Sequence, residues 1–298
     1  MNKMQEGFVN INNVPTHVTT FGRWITDKPE TNESEEIILI IPANNGSTGF
    51  YRAFMKILHS KYHCPVWIIA NSGQDIPPSG RVPENTLGLK EQVKQKVSFF
   101  EKYIPEFSKV HLIGHSVGCH MVLELLKEPS IEQRVLKAYL LFPLIERLSE
   151  GKKGISLKKY KNFQPILIFF AWLFFVLPFT ISGFLLKMCG IPEKDIPFII
   201  ATCNPKVLKQ VLFVANEEIE QIKERDNEVI KKNINKIRML YEKNDGWFPN
   251  TCFSELKSDF PQLKLELSNF KHAFYLQTSM EVADVVSKWM SEDNKRYY

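Results

Sequence analysis

Runs of aliphatic and β-branched residues alternate with amphipathic stretches along most of the chain. Near the N-terminus, Phe8 to Val14 and His17 to Phe21 are short β-prone runs separated around Asn, Val and Pro, the pattern of a hairpin. Asp27 to Glu36 is polar and reads as a connecting loop. Ile37-Ile38-Leu39-Ile40-Ile41 follows and ends at Pro42. A run with no polar alternation suits a strand covered on both faces, as in a parallel sheet. Phe50 to Tyr62 then has helical period, Pro65 to Ala70 reads as strand, and Leu89 to Ile104 as amphipathic helix. Val110 to Ile113 predicts a strand, Gly118 to Lys127 a helix, and Leu136 to Phe142 a strand. Strands and helices in alternation predict an α/β fold with a doubly wound, mostly parallel sheet and right-handed crossovers.

The alternation stops at Pro143 and resumes near Ile237. Ile237 to Tyr241 predicts a strand, Asn250 to Phe260 a helix, Leu263 to Leu267 a strand, and Glu281 to Met290 a closing helix. The chain therefore divides into an α/β core, residues 1–142 and 233–298, and a helical insertion or cap, residues 143–232. Within the insertion, Phe163 to Leu186 carries no charged residue. Its length would reach across a bilayer. Pro178 and Ser182-Gly183 interrupt it, however, and a span would part the two halves of one core. A kinked helical hairpin lying in one leaflet or a lipid monolayer is the expectation, with Phe163, Ile166, Phe169, Phe170, Trp172, Phe174, Phe175, Phe179 and Phe184 as docking residues. The other reading is a cap whose helices bury this surface over the core, and a lid can do both.

Composition narrows the class. The chain has 298 residues, 44% hydrophobic and 24% charged, enough for one large α/β domain with a sizeable insertion. Its net charge of +5 is mild, and no arginine-rich or lysine-rich run marks a nucleic-acid surface. Lys152, Lys153, Lys158, Lys159 and Lys161 form a basic collar just before the apolar segment, which suits anionic lipid headgroups. The five cysteines show no C-x-x-C spacing, so neither a disulfide framework nor a zinc site is expected. His17, His59, His63, His111 and His115 are not spaced as metal ligands, and no metal or cofactor is expected. Met1 to Thr20 contains no apolar h-region, so the chain reads as cytosol-facing, and the sequon at Asn45-Gly46-Ser47 carries no weight.

The candidate chemistry centres on Gly114-His115-Ser116-Val117-Gly118, a G-x-S-x-G match between a strand-like run and a helical one. Small residues two before and two after the serine allow the sharp strand-to-helix turn that exposes a nucleophile. A nucleophilic serine needs a base, and the base an orienting acid. After Ser116 the chain holds two histidines. His120 lies one helical turn on and reads as a packed or surface helix residue; His272, between a strand and the last helix, is the expected base. Asp245, in the loop after Ile237 to Tyr241, is the favoured acid, with Glu242 and Asp259 as rivals. An oxyanion hole would take one N–H from Val117 and a second from the loop Pro42 to Gly46, where Asn44 is the chosen donor.

With these residues in hand, the chain resembles the lipid droplet-associated hydrolase family, serine esterases of the α/β-hydrolase fold. The resemblance runs through Ile41-Pro42-Ala43-Asn44-Asn45-Gly46 with Phe50-Tyr51, Leu112 to Gly118, Leu141 to Ser149, Tyr241 to Pro249, and His272-Ala273-Phe274. It implies Ser116, Asp245 and His272 as the triad, and ester hydrolysis, of sterol esters among others, in neutral-lipid turnover. It also implies residence on lipid droplets and endoplasmic reticulum through the hydrophobic insertion. The family's first loop usually reads Pro-Gly-Asn-Pro-Gly; here Ala43 and Asn45 stand in place of a glycine and a proline. After Ser149 the family tends to Ser-Pro-Asn-Gly, where this chain has Glu150-Gly151-Lys152-Lys153-Gly154.

Three functions fit. One is a lipid esterase; the second is a weakly active droplet-surface scaffold that regulates lipid turnover. The third is a soluble peptidase or thioesterase with a water-facing cap. An intact triad favours the first, because a scaffold has no physical need for all three side chains.

Overall fold

The computed structural model describes residues 3–29, 35–80, 83 and 85–294. Among them eight strands form one sheet: β1 Met4–Ile11, β2 Val14–Phe21, β3 Glu36–Ile41, β4 Val66–Ile69, β5 Lys109–His115, β6 Val135–Leu141, β7 Ile237–Glu242 and β8 Lys264–Ser268. Their order is β1-β2-β4-β3-β5-β6-β7-β8. β1 pairs antiparallel with β2, and β2 with β4; from β4 to β8 every neighbouring pair is parallel. The doubly wound sheet read from the sequence is present, extended at one edge by the N-terminal hairpin. Its turn is Asn12-Asn13, both left-handed with φ of 49° and 64°. Such a two-residue turn matches the strand twist, and Asn tolerates it. Val14, read from the sequence as the end of the first run, opens β2 instead, followed by Pro15. The polar loop over residues 27–36 falls partly outside the described residues.

Four α-helices precede the insertion among the described residues: α1 Arg52–Tyr62, α2 Leu89–Tyr103, α3 Val117–Leu125 and α4 Pro129–Glu132. Side-chain alternation along β3 explains the layers. Ile37, Leu39 and Ile41 pack with Phe99 and Phe100 of α2 and Val117 and Val122 of α3. Ile38 and Ile40 face the other way, onto Phe54 and Met55 of α1. Each such side chain, fully buried, contributes about 1.5–3 kcal/mol.

The insertion supplies α5 Lys152–Lys159, α6 Gln164–Phe175, α7 Phe179–Met188, α8 Ile196–Thr202, α9 Pro205–Gln221 and α10 Asn227–Lys232. Among the described residues three helices follow the insertion: α11 Thr251–Asp259, α12 Phe274–Gln277 and α13 Ser279–Asn294. The ends of the insertion are core residues. Leu144, Ile145 and Leu148 at its start, and Ile222, Val229 and Ile230 at its end, belong to the same cluster as Leu39. α9 begins at an Asn204 cap, whose side chain accepts the Lys206 N–H at 3.0 Å, with Pro205 next, where a missing N–H costs nothing.

The apolar segment forms two helices that diverge by 115°. Pro178 sits at the break, since its ring cannot continue α6 but can cap α7. No single helix among the described residues is long and apolar enough to cross a membrane. Gln164, Ile168, Ala171 and Phe175 recur at helical spacing as the covered stripe of α6. Gln164 and Asn216 of α9 exchange two side-chain hydrogen bonds, at 3.0 and 3.1 Å, which fixes that stripe inward. Phe174 and Phe175 are therefore half-buried and separate from the other seven expected docking residues. Those seven are exposed, Phe170 at 60% and Phe184 at 62%.

Candidate active site

Ser116 occupies the one-residue corner between β5 and α3, at φ 58° and ψ −124°. A left-handed serine is strained, and the surrounding packing must hold it there. The flanking glycines explain why the turn can close. A Cβ on Gly118 would lie 2.2 Å from the Ile41 carbonyl oxygen, and one on Gly114 would lie 2.8 Å from Cys119 Cα. The backbone of the elbow is further tied by the Ser116 N–H donating to Leu141 O at 3.0 Å, and the Leu144 N–H to Ser116 O at 3.2 Å. The C-terminal end of β6 and the start of the insertion therefore register on the serine.

Three side chains distant in sequence meet here. Ser116 Oγ and His272 Nε2 are 2.8 Å apart, and His272 Nδ1 and Asp245 Oδ2 are 2.7 Å apart. A carboxylate only accepts, so Nδ1 carries the proton and Nε2 is left to accept the Ser116 hydroxyl. Asp245 is buried, with 1% of its side chain exposed. Its second oxygen has Lys153 Nζ at 3.7 Å, and Lys153 also lies over the Trp247 ring. The rivals do other work. Glu242 Oε2 accepts the His272 backbone N–H at 2.8 Å, and Oε1 takes Lys271 Nζ at 3.1 Å. Asp259 pairs with Arg225. His120 is half-buried on α3.

The loop after β3 has its amide protons accounted for with one exception. Ala43 N–H donates to Tyr51 Oη at 3.0 Å, Asn45 N–H to Gln74 Oε1 at 2.9 Å, and Gly46 N–H to Ala43 O at 3.0 Å. The Asn44 N–H has no acceptor among the described residues, and neither has that of Val117, the first residue of α3. The Asn44 side chain is turned to other partners: its amide donates to Val211 O of α9 at 3.0 Å and interacts with Glu218, and its oxygen accepts from Gln74 at 2.7 Å. The donor available at Asn44 is thus the backbone group.

Several residues here escaped sequence reading. His115 Nε2 donates to the His272 carbonyl oxygen at 2.9 Å, so its Nδ1 accepts from the Tyr51 hydroxyl at 2.7 Å. Full burial holds His115 well below its usual pKa and therefore neutral. Glu218 of α9 is buried with burial pushing its carboxyl up to about 8. The only signal in the sequence for His115 was its place beside the serine.

Ser116, Asp245, His272, Asn44 and Glu218 line one cavity of about 650 Å³, with α5 and α9 of the insertion forming a wall through Leu157, Val211 and Ile219. That volume lies within the usual range for organic ligands, roughly 300–1,000 Å³. Elsewhere, Glu146, Cys252 and Glu255 come together. Arg225 and Arg147 already pair with the two carboxylates, both at 2.9 Å.

Comparison with solved structures supports the architecture. The fold matches a haloalkane dehalogenase from Agrobacterium tumefaciens with a TM-score of 0.65 at 14% identity, over 98% of each chain. It matches a membrane phospholipase A with a TM-score of 0.63 at 13% identity, over 98% of this chain and 87% of the other. At such identities the likeness shows the α/β-hydrolase fold and nothing more. Closer relatives are found among sequences. A lipid droplet-associated hydrolase of Drosophila melanogaster is 33% identical, covering 98% of this chain and 100% of the relative. The Mus musculus protein of the same name is 32% identical over 97% and 95%. The Homo sapiens one is 28% identical over 97% and 96%. Residues 34–275 match the family model described as lipid-droplet associated hydrolase. The chain belongs to the lipid-droplet associated hydrolase family.

Proposed function

We propose that this chain is a serine ester hydrolase acting on lipid esters, sterol esters among them, at the cytosolic face of lipid droplets and endoplasmic reticulum. The observation that carries the reading is the hydrogen-bonded series Ser116–His272–Asp245 at 2.8 and 2.7 Å, opening on a largely apolar cavity. Ser116 Oγ attacks the ester carbonyl while His272 Nε2 takes its proton; Asp245 holds the imidazole tautomer and stabilises the imidazolium. The developing oxyanion is met by the backbone N–H groups of Val117 and Asn44, the former at the positive end of α3. Collapse expels the alcohol, which takes the proton back from His272. Water, deprotonated by the same nitrogen, then releases the carboxylic acid and restores the serine. The residues present complete this cycle with no cofactor.

Docking falls to the α6–α7 hairpin. Phe163, Ile166, Phe169, Phe170, Trp172, Phe179 and Phe184 lie on its exposed side, beside Lys158, Lys159 and Lys161. An exposed apolar face of this size needs lipid or protein against it. The names of the relatives support lipid droplets as that surface. Hydrolysis by purified protein of a panel of sterol, glycerol and simple alkyl esters tests the activity. Turnover lost in Ser116→Ala is expected, and native protein that cleaves none of them contradicts the reading.

A further inference from the structure

α9 turns Val211, Ala215, Glu218 and Ile219 toward the cavity, one face of the helix at helical spacing. Three of the four are apolar, and the fourth is a carboxyl group. Glu218 is 4% exposed, and its Oε1 has no hydrogen-bond partner among the described residues. No lysine, arginine or histidine pairs with it there. The Asn44 side-chain amide gives one N–H to Val211 O at 3.0 Å and turns its other toward the carboxyl group, which leaves Oε1 still without a partner. Burial raises the carboxyl to about 8, so at neutral pH the group is mainly an uncharged acid with an O–H to donate and an oxygen to accept. As a purely structural element it is a poor one. An unsatisfied buried polar group costs roughly 1–3 kcal/mol, and a leucine of similar size would remove that cost. A ligand that completes its hydrogen bonds accounts for the placement.

We infer that Glu218 is a specificity-determining residue whose carboxyl group hydrogen-bonds a second oxygen function of the substrate, a free hydroxyl near the scissile ester. The site then favours partial esters, such as a monoacylglycerol, over esters whose remainder is hydrocarbon. The inference rests on the esterase reading above and deepens it. Discrimination of this kind is strong because a substrate lacking the hydroxyl leaves the buried acid unpaired.

The test compares kcat/KM for a monoacylglycerol and the ethyl ester of the same fatty acid in native protein, Glu218→Gln and Glu218→Leu, alongside thermal unfolding. Native protein is expected to prefer the monoacylglycerol, and Glu218→Leu to lose roughly 10-fold or more of that preference. Glu218→Gln, which keeps a donor and an acceptor, retains it to within about threefold. Glu218→Leu melts at the native temperature or above it. Equal selectivity in all three proteins overturns the inference and leaves the esterase reading standing. Loss of selectivity with a lowered melting temperature in both variants assigns Glu218 to the loop's architecture and also overturns it. If neither ester is cleaved by native protein, the esterase reading falls and the inference with it.

Discussion

His115 Nε2 donates a hydrogen bond to the backbone oxygen of His272 across 2.9 Å, so the residue before Ser116 holds the loop that carries the His272 imidazole. The same imidazole accepts from Tyr51, whose oxygen accepts the Ala43 N–H at 3.0 Å. One buried series thus links the loop after β3, the elbow and the His272 loop. His115 and Tyr51 act as positioning residues in this account. Tyr51→Phe removes the links to Ala43 and His115 while keeping the ring. It is expected to lower kcat by roughly 10- to 100-fold with KM changed by less than about threefold, the pattern of misaligned catalytic groups. Steady-state kinetics on a soluble ester check it; a change confined to KM contradicts it.

The elbow predicts a stability effect. Gly118→Ala would set a methyl group 2.2 Å from the Ile41 carbonyl oxygen, a backbone atom of β3 that cannot rotate away. Unfolding in urea should show a loss of about 2–4 kcal/mol. A loss under about 0.5 kcal/mol, the ordinary surface value, would contradict the close approach.

Glu218 predicts a pH dependence. Its carboxyl sits at about 8 in the folded chain, above the ordinary 4.5, so the native state binds the proton more tightly than the unfolded one. The stabilising contribution is complete below about 4.5 and is lost as pH rises through about 8. Over that window native protein should lose stability relative to Glu218→Gln, by at most about 1.4 kcal/mol per pH unit. Parallel curves for the two proteins from pH 5 to 8 would contradict it.

The hairpin predicts partitioning. Phe169, Phe170 and Phe184 are exposed, and each side chain transferred into lipid gains about 1.5–3 kcal/mol. Replacing all three by serine should reduce flotation with phospholipid-coated oil droplets by roughly 10³-fold or more. Phe175→Ser, on the covered stripe, should instead lower the melting temperature, since it removes apolar area that α6 covers. Unchanged flotation of the triple variant would remove the docking proposal.

How much of this could be read from residues alone depended on how local the cause was. The run Ile37 to Ile41 identified a central strand because burial on both faces leaves no polar alternation. The elbow was legible because its strand-to-helix turn, with Gly114 pressed against Cys119, sets a steric demand within a few residues of the serine. His272 followed from elimination, two histidines remaining after Ser116. Asp245 and Glu242 were harder to separate, since both sit near the end of β7 and only the fold decides which meets the imidazole and which the backbone. The roles of Tyr51 and His115, 64 positions apart, and of Glu218 were not legible, because they exist only once distant loops approach. Phe174 and Phe175 were placed with the lipid-facing set because a helix apolar all round carries no phase.

The central claim is that Ser116 is a nucleophile activated by His272. Mass spectrometry of protein treated with a fluorophosphonate tests it most directly. One adduct on the peptide carrying Ser116 is expected, absent in Ser116→Ala and strongly reduced in His272→Ala. An unlabelled native protein, or label on another residue with Ser116 untouched, would contradict the account.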